Sequence, residues 1–208
     1  MFATTRRRSA LLAVPLAAAA LFAAAPANAA TPGPLTCRGQ GIDPAAQLHH
    51  RTETFVKAPV STVWKVQTGV AGWPDWQAAV TSAKRLDPGP LHPGSRFRWT
   101  TPAPATPSSP ATTLVITSTV RQVQPERCIR WTGPATGDGL RIDRGVHVWT
   151  FTPARGGVVV RTEESWTGAQ IEADPATAIR YLAPGLDRWL ADLKTAAEAR
   201  TQRRRGEQ

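Results

Sequence analysis

The sequence predicts an α+β fold in which a curved antiparallel sheet of about six to seven strands wraps around one long C-terminal helix, with two short helices after the first strand. Three observations point there. Between Asp174 and Arg200, apolar residues recur at Ile179, Leu182, Leu186, Trp189, Leu193 and Ala196, in steps of three and four that trace one face of a helix. From residue 48 to residue 166 the chain is mostly short segments of alternating apolar and polar side chains, separated by turns rich in Pro and Gly. Only after the first of these segments does the alternation give way to two short helical stretches. A hairpin-linked sheet cannot cover both faces of its own core, so the long helix supplies the missing layer.

The chain opens with Arg6, Arg7 and Arg8, then an apolar run from Ala10 to Ala25 that is short for a bilayer, then the small-x-small triplet Ala27-Asn28-Ala29. That order predicts a signal peptide over residues 1–29, cleaved after Ala29, and a secreted or envelope protein with no stable membrane insertion after cleavage. The adjacent arginines raise the twin-arginine route, but Ala10 stands where that signal prefers a bulky residue, so Sec and Tat both stay open. Residues 30–47 are polar and turn-rich and form an N-terminal arm. The domain proper is expected over 48–200 and a basic polar tail over 201–208.

Within the domain, His50 to Val56 has strand propensity and ends at Lys57-Ala58-Pro59. Val60, Val63, Trp64 and Val66 predict a short helix from Pro59 to Gly69. Gly72-Trp73-Pro74-Asp75-Trp76 breaks it and starts a second one running to Val80. Strands follow over Thr81–Leu86, Ser95–Thr101, Thr112–Val123, Arg127–Thr132, Gly145–Pro153 and Val158–Trp166. Pro102 to Ala111 reads as a mobile hairpin connection, and Gly133 to Gly139 as a hairpin loop. The glycine spacing of that loop matches no phosphate-cradling pattern. Asp174 caps the long helix, Pro175 occupies its first position, and Pro184-Gly185 predicts a kink or break.

The formal charge is +10, and removing the leader leaves 22 basic and 15 acidic residues, a net +7. No stripe of Lys and Arg interleaves with aromatics, which argues against a nucleic-acid partner, and Arg203 to Arg205 read as a solvated tail. The two cysteines, Cys37 and Cys128, predict a disulfide in an exported chain. They are not spaced as metal ligands, and His49-His50 are adjacent, so neither a metal nor another cofactor is expected. The absence of Gly-x-Ser-x-Gly removes one common serine-nucleophile arrangement.

Ala58-Pro59 leading into Val63-Trp64, then Gly72-Trp73-Pro74-Asp75-Trp76, and the strand ending Thr162-Glu163-Glu164-Ser165-Trp166 resemble the START-like superfamily (SRPBCC, Bet v 1-like). More narrowly, the chain from Leu48 to Arg200 is similar to the polyketide cyclase/dehydrase branch, as an exported member of actinobacterial type. The resemblance implies the helix-grip fold and a hydrophobic small molecule held between sheet and helix. In this family some members cyclise or dehydrate aromatic polyketides, whereas many carry or sense a ligand. The leader and the disulfide set this chain apart from a cytosolic polyketide assembly line.

The alternation places Phe97, Trp99, Ile116, Trp131, Trp149, Thr162 and Trp166 on a ligand-facing side of the strands, with Tyr181, Leu182 and Trp189 opposite them on the helix. Indole N–H groups would give such a pocket a few oriented hydrogen bonds. Glu164 shares its phase with Val160 and Trp166, so an inward carboxylate with a raised pKa is a candidate general acid or base. His147 shares its phase with Trp149 and Phe151 and is the second catalytic candidate. The competing reading leaves the strand end solvated or turns Glu163 inward, with Arg161 sharing the face of Glu163 as an ordinary surface pair; His49, His50 and His92 read as superficial. Three functions stay open: a binder of an apolar or amphipathic molecule, a cyclase/dehydratase-type lyase without metal, and an envelope-surface interaction protein without a ligand. A ligand cavity of about 300–1,000 Å³ is expected, opening near Pro102–Ala111 or Pro184-Gly185.

Overall fold

Seven strands pair antiparallel in the order β1-β7-β6-β5-β4-β3-β2 in the computed structural model, which describes residues 33–207. The expected signal peptide and its cleavage site lie outside the described residues. The strands are β1 (Leu48–Val56), β2 (Ser82–Arg85), β3 (Arg96–Ala103), β4 (Thr112–Gln124), β5 (Cys128–Gly137), β6 (Leu140–Ala154) and β7 (Gly157–Thr167). The helices are α1 (Val60–Thr68), the single turn α2 (Ala169–Glu172) and α3 (Pro175–Gly206). This is the α+β helix-grip architecture that the alternation and the C-terminal helix predict.

Four local expectations are corrected. The second short helix is a 3₁₀ turn over Val70–Asp75 rather than a turn from Asp75 to Val80. Trp73 sits within that turn, fully buried, and its indole N–H donates to the Gln67 carbonyl at 2.9 Å, so core packing decides where the chain tightens. Gly133 does not begin a loop: β5 runs on to Gly137 through a bulge between Gly133 and Ala135, where Pro134 needs to donate no ladder hydrogen bond. Only Asp138-Gly139 turns the chain, with Gly139 at φ 65°. Pro102 and Ala103, expected in the connection, extend β3.

The fourth correction concerns α3, which runs unbroken through Pro184 and past residue 200 to Gly206. A single proline removes one N–H, and the turns on either side of it are anchored by Leu182, Leu186, Trp189 and Leu190. Thr201, expected in a frayed tail, is buried and bonds back to the Ala197 carbonyl at 3.0 Å. The start is as the sequence implies: the Asp174 carboxylate accepts the Thr177 N–H at 3.0 Å, with Pro175 beside it.

The arm is held down by its cysteine. Leu35, Cys37 and Ile42 pack on Cys128 and Val148 on the outer face of the sheet, and the Cys37–Cys128 disulfide joins them with a Cα separation of 5.4 Å. The Leu35 N–H donates to Glu163 Oε2 at 2.8 Å, and Arg130 Nε donates to the Gly41 carbonyl at 2.7 Å. Glu163 is therefore buried beneath the arm, and Arg161 pairs with Glu53 at 2.6 Å, not with Glu163.

The inner face carries two unlike clusters. Around the 3₁₀ turn, Trp73 makes edge-on or tilted ring contacts with Phe97, Trp99, Trp131 and Trp189, and Trp149 packs against Trp131 and Trp189. Toward the start of α3 the core is leaner and aliphatic, built from Leu48, Leu114, Ile116, Ile142, Leu182 and Leu186.

Candidate functional site: an apolar cavity with a buried acid

The register of three strands determines where the interior is left open. In one cross-strand row Trp131, His147 and Glu164 stand side by side on β5, β6 and β7. Two residues along, the row is Gly133, Gly145 and Trp166, so two neighbouring strands present bare backbone. A Cβ on Gly133 would come 2.2 Å from the Thr117 carbonyl oxygen, so the chain there tolerates only glycine. A Cβ on Gly145 would lie 3.4 Å from Glu164 Oε1. A cavity of about 310 Å³ occupies this thinly filled end, between the sheet and the first half of α3.

Trp99, Ile116, Trp166, Tyr181, Leu182 and Trp189 line the cavity, as do His147 and Glu164. Phe97, Trp131, Trp149 and Thr162 do not line it: the three aromatics belong to the packed cluster around Trp73, and Thr162 lies behind His147. Period-two alternation puts all of them on the inner face but says nothing about how much space remains above each. Pro102, Pro104, Ser108 and Gly185, from the two segments expected to bracket an opening, border the cavity, and Tyr181 is 42% exposed.

The indole N–H groups of the three tryptophans that line the cavity are engaged within the protein, whereas Trp149 Nε1, away from the lining, is buried without a partner. Trp99 donates to Ser118 Oγ at 3.4 Å, Trp189 to Gln67 Oε1 at 3.1 Å and Trp166 to Glu164 Oε1 at 3.0 Å. A buried N–H is costly without an acceptor, and for these three the protein supplies one.

The polar element is the Glu164–His147 pair. Glu164 Oε2 lies 3.4 Å from His147 Nδ1, with 17% of the glutamate side chain and 4% of the histidine side chain exposed. Burial pushes Glu164 up to about 7, partly offset by the Trp166 hydrogen bond, and pushes His147 down to about 3. Both shifts favour an uncharged pair, a carboxylic acid beside a neutral imidazole. On the far side, His147 Nε2 is 2.6 Å from Thr162 Oγ1, whose hydroxyl donates to the Val148 carbonyl at 3.2 Å. His50, read from sequence as superficial, is the β1 partner of Glu164 in register, and its Nε2 lies 3.6 Å from Asp187 on α3. Among the described residues no group of three or more His, Cys, Asp or Glu side chains could hold a metal ion.

The sequence reading missed Gly133, Gly145 and Ile142 of the lining. Gly145 was legible as a glycine within a strand pattern, which marks a close approach or missing bulk.

Comparisons with known proteins agree with this fold. The family model described as "Polyketide cyclase / dehydrase and lipid transport" matches residues 47–198. No curated protein matches by sequence. Among solved structures, a protein from Thermus thermophilus superposes with a TM-score of 0.56 at 18% identity, covering 74% of this chain and 99% of that one. The di-domain ARO/CYC StfQ of the steffimycin biosynthetic pathway gives 0.54 at 20% identity, covering 76% of this chain and 52% of its own. The Zhui aromatase/cyclase of Streptomyces sp. R1128 gives 0.53 at 15% identity, covering 73% and 94%. Identities this low speak for the fold alone, whereas the family match spans most of the chain: this protein belongs to the polyketide cyclase/dehydrase and lipid transport family.

Proposed function

We propose that the protein holds an apolar or amphipathic small molecule, lipid- or polyketide-like, in the cavity between the sheet and α3. The observation that carries this reading is the open aliphatic end of an otherwise densely packed aromatic core, about 310 Å³ in volume and enclosing one buried acid. A volume of that size lies at the lower end of what small-molecule sites occupy, about 300–1,000 Å³. A ligand at a hundredfold excess over its Kd stabilises the fold by about 2.7 kcal/mol. Thermal shift and tryptophan fluorescence, read against long-chain alcohols, sterols and aromatic polyketides, test the proposal. Silence in both measurements across the panel would leave the cavity without a ligand role and favour a surface-interaction protein.

The Glu164–His147 pair supports a second reading, a cyclase/dehydratase-type enzyme. A carboxyl that titrates near neutrality in an apolar pocket is suited to taking a proton from a bound ligand as a general base. Glu164→Gln would then retain ligand binding and abolish turnover; a variant with normal turnover leaves binding alone. Export is part of the same proposal. The Cys37–Cys128 disulfide fits an oxidising compartment, and no described helix is long and apolar enough to cross a membrane. Sequencing the N-terminus of protein from culture fluid or cell envelope should begin at Ala30, and a start at Met1 would overturn the export reading.

A further inference from the structure

From the hydrogen-bond directions around Glu164 we infer that the cavity selects uncharged ligands whose polar end is a hydroxyl donor, and rejects carboxylates such as free fatty acids. This rests on the cavity being a ligand site. Its first basis is charge. The chain has 25 Lys and Arg residues, yet none of the described ones lines the cavity, whose titratable side chains are His147, Glu164, Asp174 and Tyr181. Beside Glu164 in register stands His50 on β1, and its Nε2 lies 3.6 Å from Asp187 on α3. A ligand carboxylate would enter an apolar site with no cation to meet it, beside a second carboxyl group.

The second basis is the direction of each hydrogen. The Val148 carbonyl can only accept, so the Thr162 hydroxyl that donates to it must itself accept from His147 Nε2. Neutral His147 therefore carries its proton on Nε2 and turns the bare Nδ1 lone pair toward Glu164 Oε2. The acid proton of Glu164 points at that lone pair, away from the cavity. The other oxygen, Oε1, already accepts the Trp166 N–H and lies over Gly145, where no Cβ covers it. What Glu164 offers a ligand is thus a lone pair, whether the acid is protonated or ionised. At the rim, the Thr106 hydroxyl is engaged with Ser109 at 2.8 Å and Ser108 at 3.3 Å. A ligand hydroxyl can donate to Oε1, whereas a ligand carboxylate brings only lone pairs to that oxygen and has only neutral hydroxyls such as Thr101 and Tyr181, and no cation, elsewhere in the lining.

Matched pairs of probes on one apolar skeleton test this: 1-naphthol against 1-naphthoate, and 1-dodecanol against dodecanoate, titrated calorimetrically into the disulfide-bonded protein at pH 6. The alcohol of each pair should bind at least tenfold more tightly than the carboxylate. Glu164→Leu should abolish the advantage of 1-naphthol over naphthalene while leaving naphthalene bound. Nitrogen-15 NMR of the His147 ring should show protonated Nε2 and unprotonated Nδ1. Equal or tighter binding of the carboxylates, or a proton on Nδ1, overturns the inference while the cavity stays a ligand site. Binding of none of the probes overturns both.

Discussion

Replacing Glu164 by glutamine should remove a specific pH dependence of folding stability. In the folded protein Glu164 titrates near 7 rather than at its ordinary 4.5, because burial disfavours the carboxylate. The native state therefore holds this proton over a range in which the unfolded chain has released it. The contribution to stability is complete below about 4.5, falls as pH rises toward 7, and is flat above that value. At 1.36 kcal/mol for each tenfold change, the full rise from 4.5 to about 7 corresponds to about 3 kcal/mol. This is an upper figure, because the carboxyl borders a cavity and is 17% exposed, so water can relieve part of the penalty. Asp174 lies below the ordinary carboxylate range because of its Thr177 hydrogen bonds, and Asp87 because of the Arg96 backbone N–H; both contribute slopes of opposite sign at lower pH. The informative quantity is thus the wild-type minus Glu164→Gln difference in urea unfolding free energy, measured from pH 4.5 to 8. That difference should change by about 2–3 kcal/mol across the window, with the wild type losing stability relative to the variant as pH rises. Parallel curves for the two proteins would refute the assignment of Glu164 as the buried acid.

Three further outcomes follow from the same contacts. Gly145→Ala places a Cβ 3.4 Å from Glu164 Oε1 and from the Gly133 carbonyl, so it should fold at a cost of about 1 kcal/mol and weaken ligand binding about tenfold, whereas Gly133→Ala, at 2.2 Å from the Thr117 carbonyl, should cost more than about 3 kcal/mol; comparison of the two by urea unfolding and calorimetry checks this. Converting Cys37 and Cys128 to serine opens a loop closed across 91 residues, for which chain entropy gives a loss of about 4–5 kcal/mol, read as a lower urea midpoint. Pro184→Ala restores a donor on the exposed side of α3 and should stabilise by about 1–3 kcal/mol, raising Tm; a fall would mean that the proline ring makes a contact the helix needs.

Which residues of β6 and β7 share a side was readable because alternation is local: His147 with Trp149 and Phe151, and Glu164 with Thr162 and Trp166, must share a side whatever the strands pair with, while the choice of Glu164 over Glu163 as the inward acid was left open. The Asp174 cap and the apolar stripe of α3 were readable for the same reason. The burial of Glu163 was not, because it comes from a segment 128 residues earlier in the chain, the Leu35 N–H. Nor was the tightening at Trp73, which answers to aromatic partners on β3, β5 and α3.

By itself the sequence determined the order of the strands and the long helix, which residues of each strand share a face, and the helix that covers one of those faces, since these follow from backbone periods of 2 and 3.6 residues; it left open which face of β7 turns inward. Tertiary structure alone decided which part of the inner face is packed and which part is open. That depends on cross-strand register: Gly133 opposite Gly145 beside Trp166 leaves space, while Trp131 opposite His147 beside Glu164 fills it. Register is set by hairpin turns and bulges between residues distant in the chain, and a one-residue shift would have moved each of these side chains to the other face of the sheet.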